Sequence, residues 1–132
     1  MVAAADTYGT ALKNGSATLL ARVVGKDGAH IVQADVASAK YSVYLLDDQD
    51  PDSRAAVSGH SDAALNVSDL VFNTLQNDPL WTVDETGYNL RHVLDVTEHQ
   101  AFTVAGRRFL VEFALTPNNG QVILVRFRIN VI

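Results

Sequence analysis

An antiparallel β-sandwich is the fold class that this sequence predicts, and three observations predict it. Short apolar stripes repeat with period two, turn-forming residues separate them, and no stretch has the length and spacing of a long amphipathic helix. At 132 residues the chain matches one compact domain with a single hydrophobic core. We place an extended N-terminal arm at 1–15, the sandwich at 16–132, and at most one short helix within it.

Residues 1–15 carry few bulky apolar side chains and no clear period, so the arm needs support from its own domain or from a neighbouring subunit. From Ser16 onward, Ala17, Leu19, Ala21 and Val23 fall on one side of a strand, with Thr18, Leu20, Arg22 and Val24 on the other. Lys26-Asp27-Gly28 supplies a turn, because Gly28 can take positive φ. Ala39, Tyr41, Val43 and Leu45 then alternate with Lys40, Ser42, Tyr44 and Leu46 in a second strand. The acidic, proline-bearing run Asp47–Ser53 breaks it.

The stretch Ala64–Phe72 fits two readings, a strand or a short helix capped by Ser68. We expect a strand there, followed by a helical turn near Asn73–Asp78. Pro79 and Asp84-Glu85-Thr86-Gly87 mark loops around Trp81, and Leu90–Val96 is a further candidate strand.

The C-terminal region gives the sharpest pattern. Phe109, Val111, Phe113 and Leu115 share one face, as do Ile123, Val125, Phe127, Ile129 and Val131. Opposed residues of an antiparallel pair point to the same side of a sheet, so both stripes are buried only in certain registers. A three-residue loop, Asn118-Asn119-Gly120, sets Phe113 against Val125, Val111 against Phe127, and Glu112 against Arg126 on the outer face. A two-residue loop would set Phe113 against Arg126. The three-residue register is the one expected, with Gly120 in the left-handed position.

Composition narrows the chemistry. The absence of cysteine removes disulfides, thiolate metal sites and cysteine nucleophiles together. A formal charge of −5 with three lysines argues against a nucleic-acid partner. No apolar run approaches the roughly 18 residues that span a bilayer, and Met1–Asp6 lacks the features of a signal peptide, so we expect neither membrane insertion nor Sec export. Asn14-Gly15-Ser16 and Asn66-Val67-Ser68 match the glycosylation pattern, which without a secretory route we read as chance.

No serine stands in a nucleophile elbow, and Ser58-Gly59-His60-Ser61 reads as a polar loop. His30, His60, His92 and His99 are scattered, and we expect them on solvent or sheet faces. Asp48-x-Asp50-x-Asp52 resembles the opening of a calcium loop, but Ser53 and Gly59 replace the glycine and the bidentate glutamate that such a loop requires. Asp84, Glu85 and Asp95 read as turn carboxylates, and Gly25-Lys26-Asp27-Gly28 is too short for a phosphate-binding loop. We therefore expect no catalytic residues, no metal and no cofactor. Trp81 and Tyr88 allow two readings: Trp81 as an apolar plug at the end of the sandwich, which we favour, or both rings as stacking platforms for a sugar.

Phe72-Asn73-Thr74-Leu75-Gln76, Trp81-Thr82-Val83-Asp84 and Gly87-Tyr88-Asn89-Leu90-Arg91-His92 together resemble small immunoglobulin-like domains of phage and prophage structural gene clusters. Gly106–Phe113 followed by Asn119-Gly120 is similar to the closing hairpin of those domains. The front end, through Lys26-Asp27-Gly28 and Ile31–Leu46, resembles the N-terminal domain of phage baseplate upper proteins. Leu90 stands where that pattern has an aromatic, and the long C-terminal extension of a full baseplate protein is missing.

The resemblance implies an immunoglobulin-like sandwich in a virion part, such as a capsid decoration, tail, baseplate or connector component. Such a part is assembled in the host cytoplasm and contacts other virion proteins and copies of itself, without enzymatic activity. A host-surface carbohydrate-binding module is the alternative. As contact surfaces we select Thr7, Tyr8, Thr10 and Leu12 on the arm. On the outer face of the last hairpin we select Leu110, Val122, Leu124, Arg126 and Arg128, which a free surface would not need so apolar. A second sheet or loop of the same domain could equally cover that face.

Overall fold

The computed structural model describes residues 2–3, 7–25, 27–50 and 52–132. It is an all-β, two-sheet sandwich with one short α-helix. The large sheet is built around β4 (Val36–Leu46), β9 (Arg108–Pro117) and β10 (Ile123–Val131). The short strands β5 (Arg54–Ala56) and β6 (Ala63–Leu65) pair with β4, while β1 (Val2–Ala3) and β2 (Thr7–Ala11) pair with β10. The small sheet runs β3 (Thr18–Ala21), β8 (Tyr88–Val93), β7 (Val71–Gln76).

Period-two alternation produces this packing directly. Phe109, Val111, Phe113 and Leu115 are fully buried from β9, and Val125, Phe127, Ile129 and Val131 nearly so from β10. They meet Leu19 and Ala21 of β3 and Leu90 of β8 in one core cluster. Edge-to-face ring contacts add geometric preference to area burial, with Phe113 T-shaped against Phe127 and Phe102 against Phe109. The closing hairpin takes the expected register: Phe113 faces Val125, Val111 faces Phe127, and Glu112 faces Arg126. Gly120 adopts φ 101°, the left-handed region that a side chain disfavours.

The segment read as an arm is extended, and its place is within the sandwich. β2 lies parallel to β10, with Thr7 beside Phe127 and Ala11 beside Val131. Main-chain bonds from Ile132 to Ala11 and from Lys13 to Ile132 prolong the ladder, and Ala11 is buried in the core. The boundary at residue 16 therefore falls in a turn between two strands, where Asn14 takes φ 61°. All pairings among the named strands are antiparallel except those of β1 and β2, both parallel to β10. Residues 1 and 4–6 lie outside the described part, as do the side chains of Thr7 and Tyr8.

The helical turn expected near Asn73–Asp78 is corrected. The order is β6, then a four-residue helix α1 (Val67–Leu70), then β7. Leu70 and Val71 are both buried, and Val71 pairs with Leu90. Asn73 is held extended because its side-chain oxygen accepts from the Gln33 amide at 2.9 Å. Asn66, not Ser68, occupies the helix N-cap position, without a side-chain capping bond.

Candidate interaction surfaces and the buried polar cluster

Two concavities mark the surface. The first, about 400 Å³, opens between the sheets where β2 and β3 run along the same side of the sandwich. Phe127 and Ile129 form its apolar floor, and Leu80, Trp81 and Val83 form a rim. Leu80 is 59% and Val83 72% exposed, and they stand on the same rim. Among the described residues β2 is paired only with β10, and β3 only with β8, so both present an open edge beside this groove. Thr10 lines it and Leu12, two residues further on, is exposed, which keeps two residues of the selected arm at a surface.

Trp81 is half-buried, its indole N–H donating to Asp84 Oδ1 at 2.9 Å. Arg22 also reaches the Asp84 carboxylate, at 2.7 Å. The indole hydrogen bond, followed by the one from Arg22, holds the Asp84 carboxyl far below its ordinary range. Asp84 thus fixes the rim of the groove. Tyr88 is corrected as a stacking platform: it is buried against Phe72 and Trp81, with its hydroxyl donating to Asp78 at 2.6 Å. A ring with no exposed face cannot stack on a ligand from solvent.

The second concavity, about 560 Å³, lies on the outer face of β4, β9 and β10. Arg126 Nε donates to Glu112 Oε2 at 2.8 Å, the cross-strand pair that the register predicts. The Arg54 guanidinium lies 4.2 Å from the centre of the Tyr44 ring and at 4.0 Å from Glu112. Leu110 and Leu124 are corrected as exposed contact residues, being 3% and 9% exposed. Flanking long side chains, Tyr44 and Arg128 beside Leu110 among them, leave a charged surface above an apolar floor. Val122, Arg126 and Arg128 are half-buried on this face.

A third feature is internal, and sequence spacing gave no sign of it. Histidines 60 and 92, expected on solvent or sheet faces, both reach Tyr41. The His60 ring is buried, with Nε2 at 2.7 Å from the His99 carbonyl and Nδ1 at 2.7 Å from the Tyr41 hydroxyl. A carbonyl only accepts, so Nε2 carries the proton and Nδ1 accepts from Tyr41. His92 projects from β8 between Tyr41 and Phe113, at ring-centre distances of 5.0 and 5.6 Å. Its Nε2 is buried without a hydrogen-bond partner. Burial, reinforced by the neighbouring His60, pushes the His92 pKa down. Burial and the Asp95 charge push Tyr41 up. His30 sits apart, near the Asn73 carbonyl.

The polar-loop reading of 58–61 is thereby corrected at His60, which is a satisfied core group. In the aspartate loop, Asp47 accepts from the amides of Gln49 and Asp50, and Asp50 from that of Asp52. Its carboxylates shape the turn itself. Among the described residues no group of three or more histidines and carboxylates is arranged to hold a metal ion. No helix among them is long and apolar enough to cross a membrane.

These features define the chain as a small two-sheet β-sandwich with an open-edged apolar groove and a charged sheet face. No protein family, curated protein or solved structure matches it.

Proposed function

We propose that this protein is a non-enzymatic structural subunit of a tailed-phage particle, acting through contacts with other virion proteins and with copies of itself. One observation carries the protein–protein part: two strand edges unpaired among the described residues, those of β2 and β3, border one apolar groove whose rim residues Leu80 and Val83 stand in solvent. Open edges offer main-chain donors and acceptors to an added strand, and an apolar groove beside them takes the alternate side chains of that strand. The virion assignment rests on the sequence resemblance of Phe72–His92 and Gly106–Gly120 to phage structural domains.

The test is co-fractionation. Particles purified on a density gradient from cells carrying the complete structural gene cluster should contain the chain at a fixed ratio to the major shell or tail protein. Replacing Val83 with Asp should reduce that ratio sharply while the isolated protein stays folded. Absence of the chain from the particles overturns the proposal.

A further inference from the structure

The formal charge of −5 is distributed unevenly over this fold. The outer face of the large sheet carries Lys40 and Arg54, with Arg108, Arg126 and Arg128 from the closing hairpin, which is five of the ten basic residues. Among the described residues only Glu112 and Asp62 are acidic side chains on that face. Among the described residues that face therefore has a formal charge of +3, and the four basic and twelve acidic residues of the remainder leave it at −8. Strand parity produces the segregation, because every one of these strand cations occupies an outward position. The densest acidic segment lies elsewhere, at the end of the sandwich where β4 turns into β5: Asp47, Asp48, Asp50 and Asp52 are all exposed.

We propose that this basic sheet face receives the aspartate loop 47–52 of a second copy of the chain, in a head-to-tail contact. The inference deepens the reading of the protein as an assembly subunit and rests on it. Charge complementarity selects the partner: one molecule displays both a positive face with a recess and an exposed negative loop. It also selects the symmetry. Packing face against face would set +3 against +3, whereas loop against face joins opposite signs. In the head-to-tail arrangement proposed, the loop and the face of one molecule engage different neighbours, so the contact is heterologous and repetition gives a closed ring or an open filament. Nucleic acid is the rival occupant of a basic face, but the −8 remainder opposes the approach of a polyanion.

Sedimentation velocity and native mass spectrometry of the full chain test this. In about 10 mM salt, where screening reaches only beyond ~30 Å, species larger than dimers should form, and about 1 M salt should return them to monomer. Lys40→Glu with Arg108→Glu should weaken association at least about tenfold, and Asp50→Lys with Asp52→Lys should do the same. Mixing the two double variants should restore association, since each supplies what the other lacks, while circular dichroism confirms that both are folded. A monomer at all salt concentrations, a two-fold dimer, association that persists in 1 M salt, or no rescue on mixing overturns the proposal. So does micromolar binding of duplex DNA to the face in about 0.15 M salt. A chain found on particles but monomeric in solution removes this inference and leaves the assembly role standing.

Discussion

Tyr41 and His60, nineteen residues apart in sequence, meet across 2.7 Å in the interior, where the tyrosine hydroxyl donates to Nδ1 of the imidazole. The opposite ring nitrogen is held by the His99 carbonyl, so His60 joins β4 to the loop that follows β8. Replacing Tyr41 with Phe keeps most of the ring packing but leaves Nδ1 buried without a donor. We expect a loss of about 1–3 kcal/mol, the usual cost of an orphaned buried acceptor. Urea denaturation measures it, and an unchanged midpoint contradicts the role assigned to the bond.

His92 should make stability fall with acidification. Its ordinary pKa of 6.5 is lowered in the folded state by burial, so the unfolded chain binds more protons once the pH drops below 6.5. The contribution is fully present above that value and is lost as pH falls toward the folded pKa. Asp47, Asp84 and Asp95 have lowered pKa values as well, so their contributions are lost only below their ordinary value of 3.8. Between pH 6.5 and 4, thermal melts of His92→Phe should therefore show a shallower decline than those of the parent chain. Equal slopes would place the titration elsewhere.

Asn89 ties three strand-adjacent segments together. Its side-chain oxygen accepts from the Val23 amide at 2.7 Å, and its nitrogen donates to the carbonyls of Val23 and Ile31 at 2.9 and 3.0 Å. The residue is completely buried. Asn89→Leu removes all three bonds and leaves buried main-chain groups unpaired, for a loss of about 3–5 kcal/mol. Guanidinium denaturation reads this directly, and a loss under about 1 kcal/mol would show that the backbone finds other partners.

Gly87 and Gly120 separate two kinds of glycine requirement. Both have positive φ, at 106° and 101°. A Cβ on Gly87 would collide with the backbone carbonyl of Gln76, whereas around Gly120 it would meet nothing. Gly120→Ala should cost about 1 kcal/mol through conformation alone. Gly87→Ala should cost several times that, because β7 must move to admit the methyl group. Comparable melting temperatures for the two variants would refute the distinction.

The Gly87-Tyr88-Asn89 string illustrates what a motif does and does not reveal. In the sequence it is one part of a resemblance, while the structure gives each residue a packing duty: close approach to Gln76, burial against Trp81, and bonds to Val23 and Ile31. Nothing in the string itself indicated these partners, because they lie up to 66 residues away.

By itself the sequence determined the closing hairpin, its register and its Glu112–Arg126 pair, because alternation and loop length are local and the three-residue loop, unlike the two-residue one, buries both stripes. It also placed the strands containing Leu19, Tyr41 and Leu90. Tertiary structure decided the rest. Alternation says which side chains share a face but not what covers them, so the burial of Leu110, Leu124 and Tyr88 could not be read from it. The same is true of β2, whose weak apolar pattern becomes a strand because the edge of β10 supplies its main-chain partners. The meeting of Tyr41, His60 and His92 likewise exists only where two sheets and a loop converge, since contact between distant residues is fixed by packing and not by their spacing along the chain.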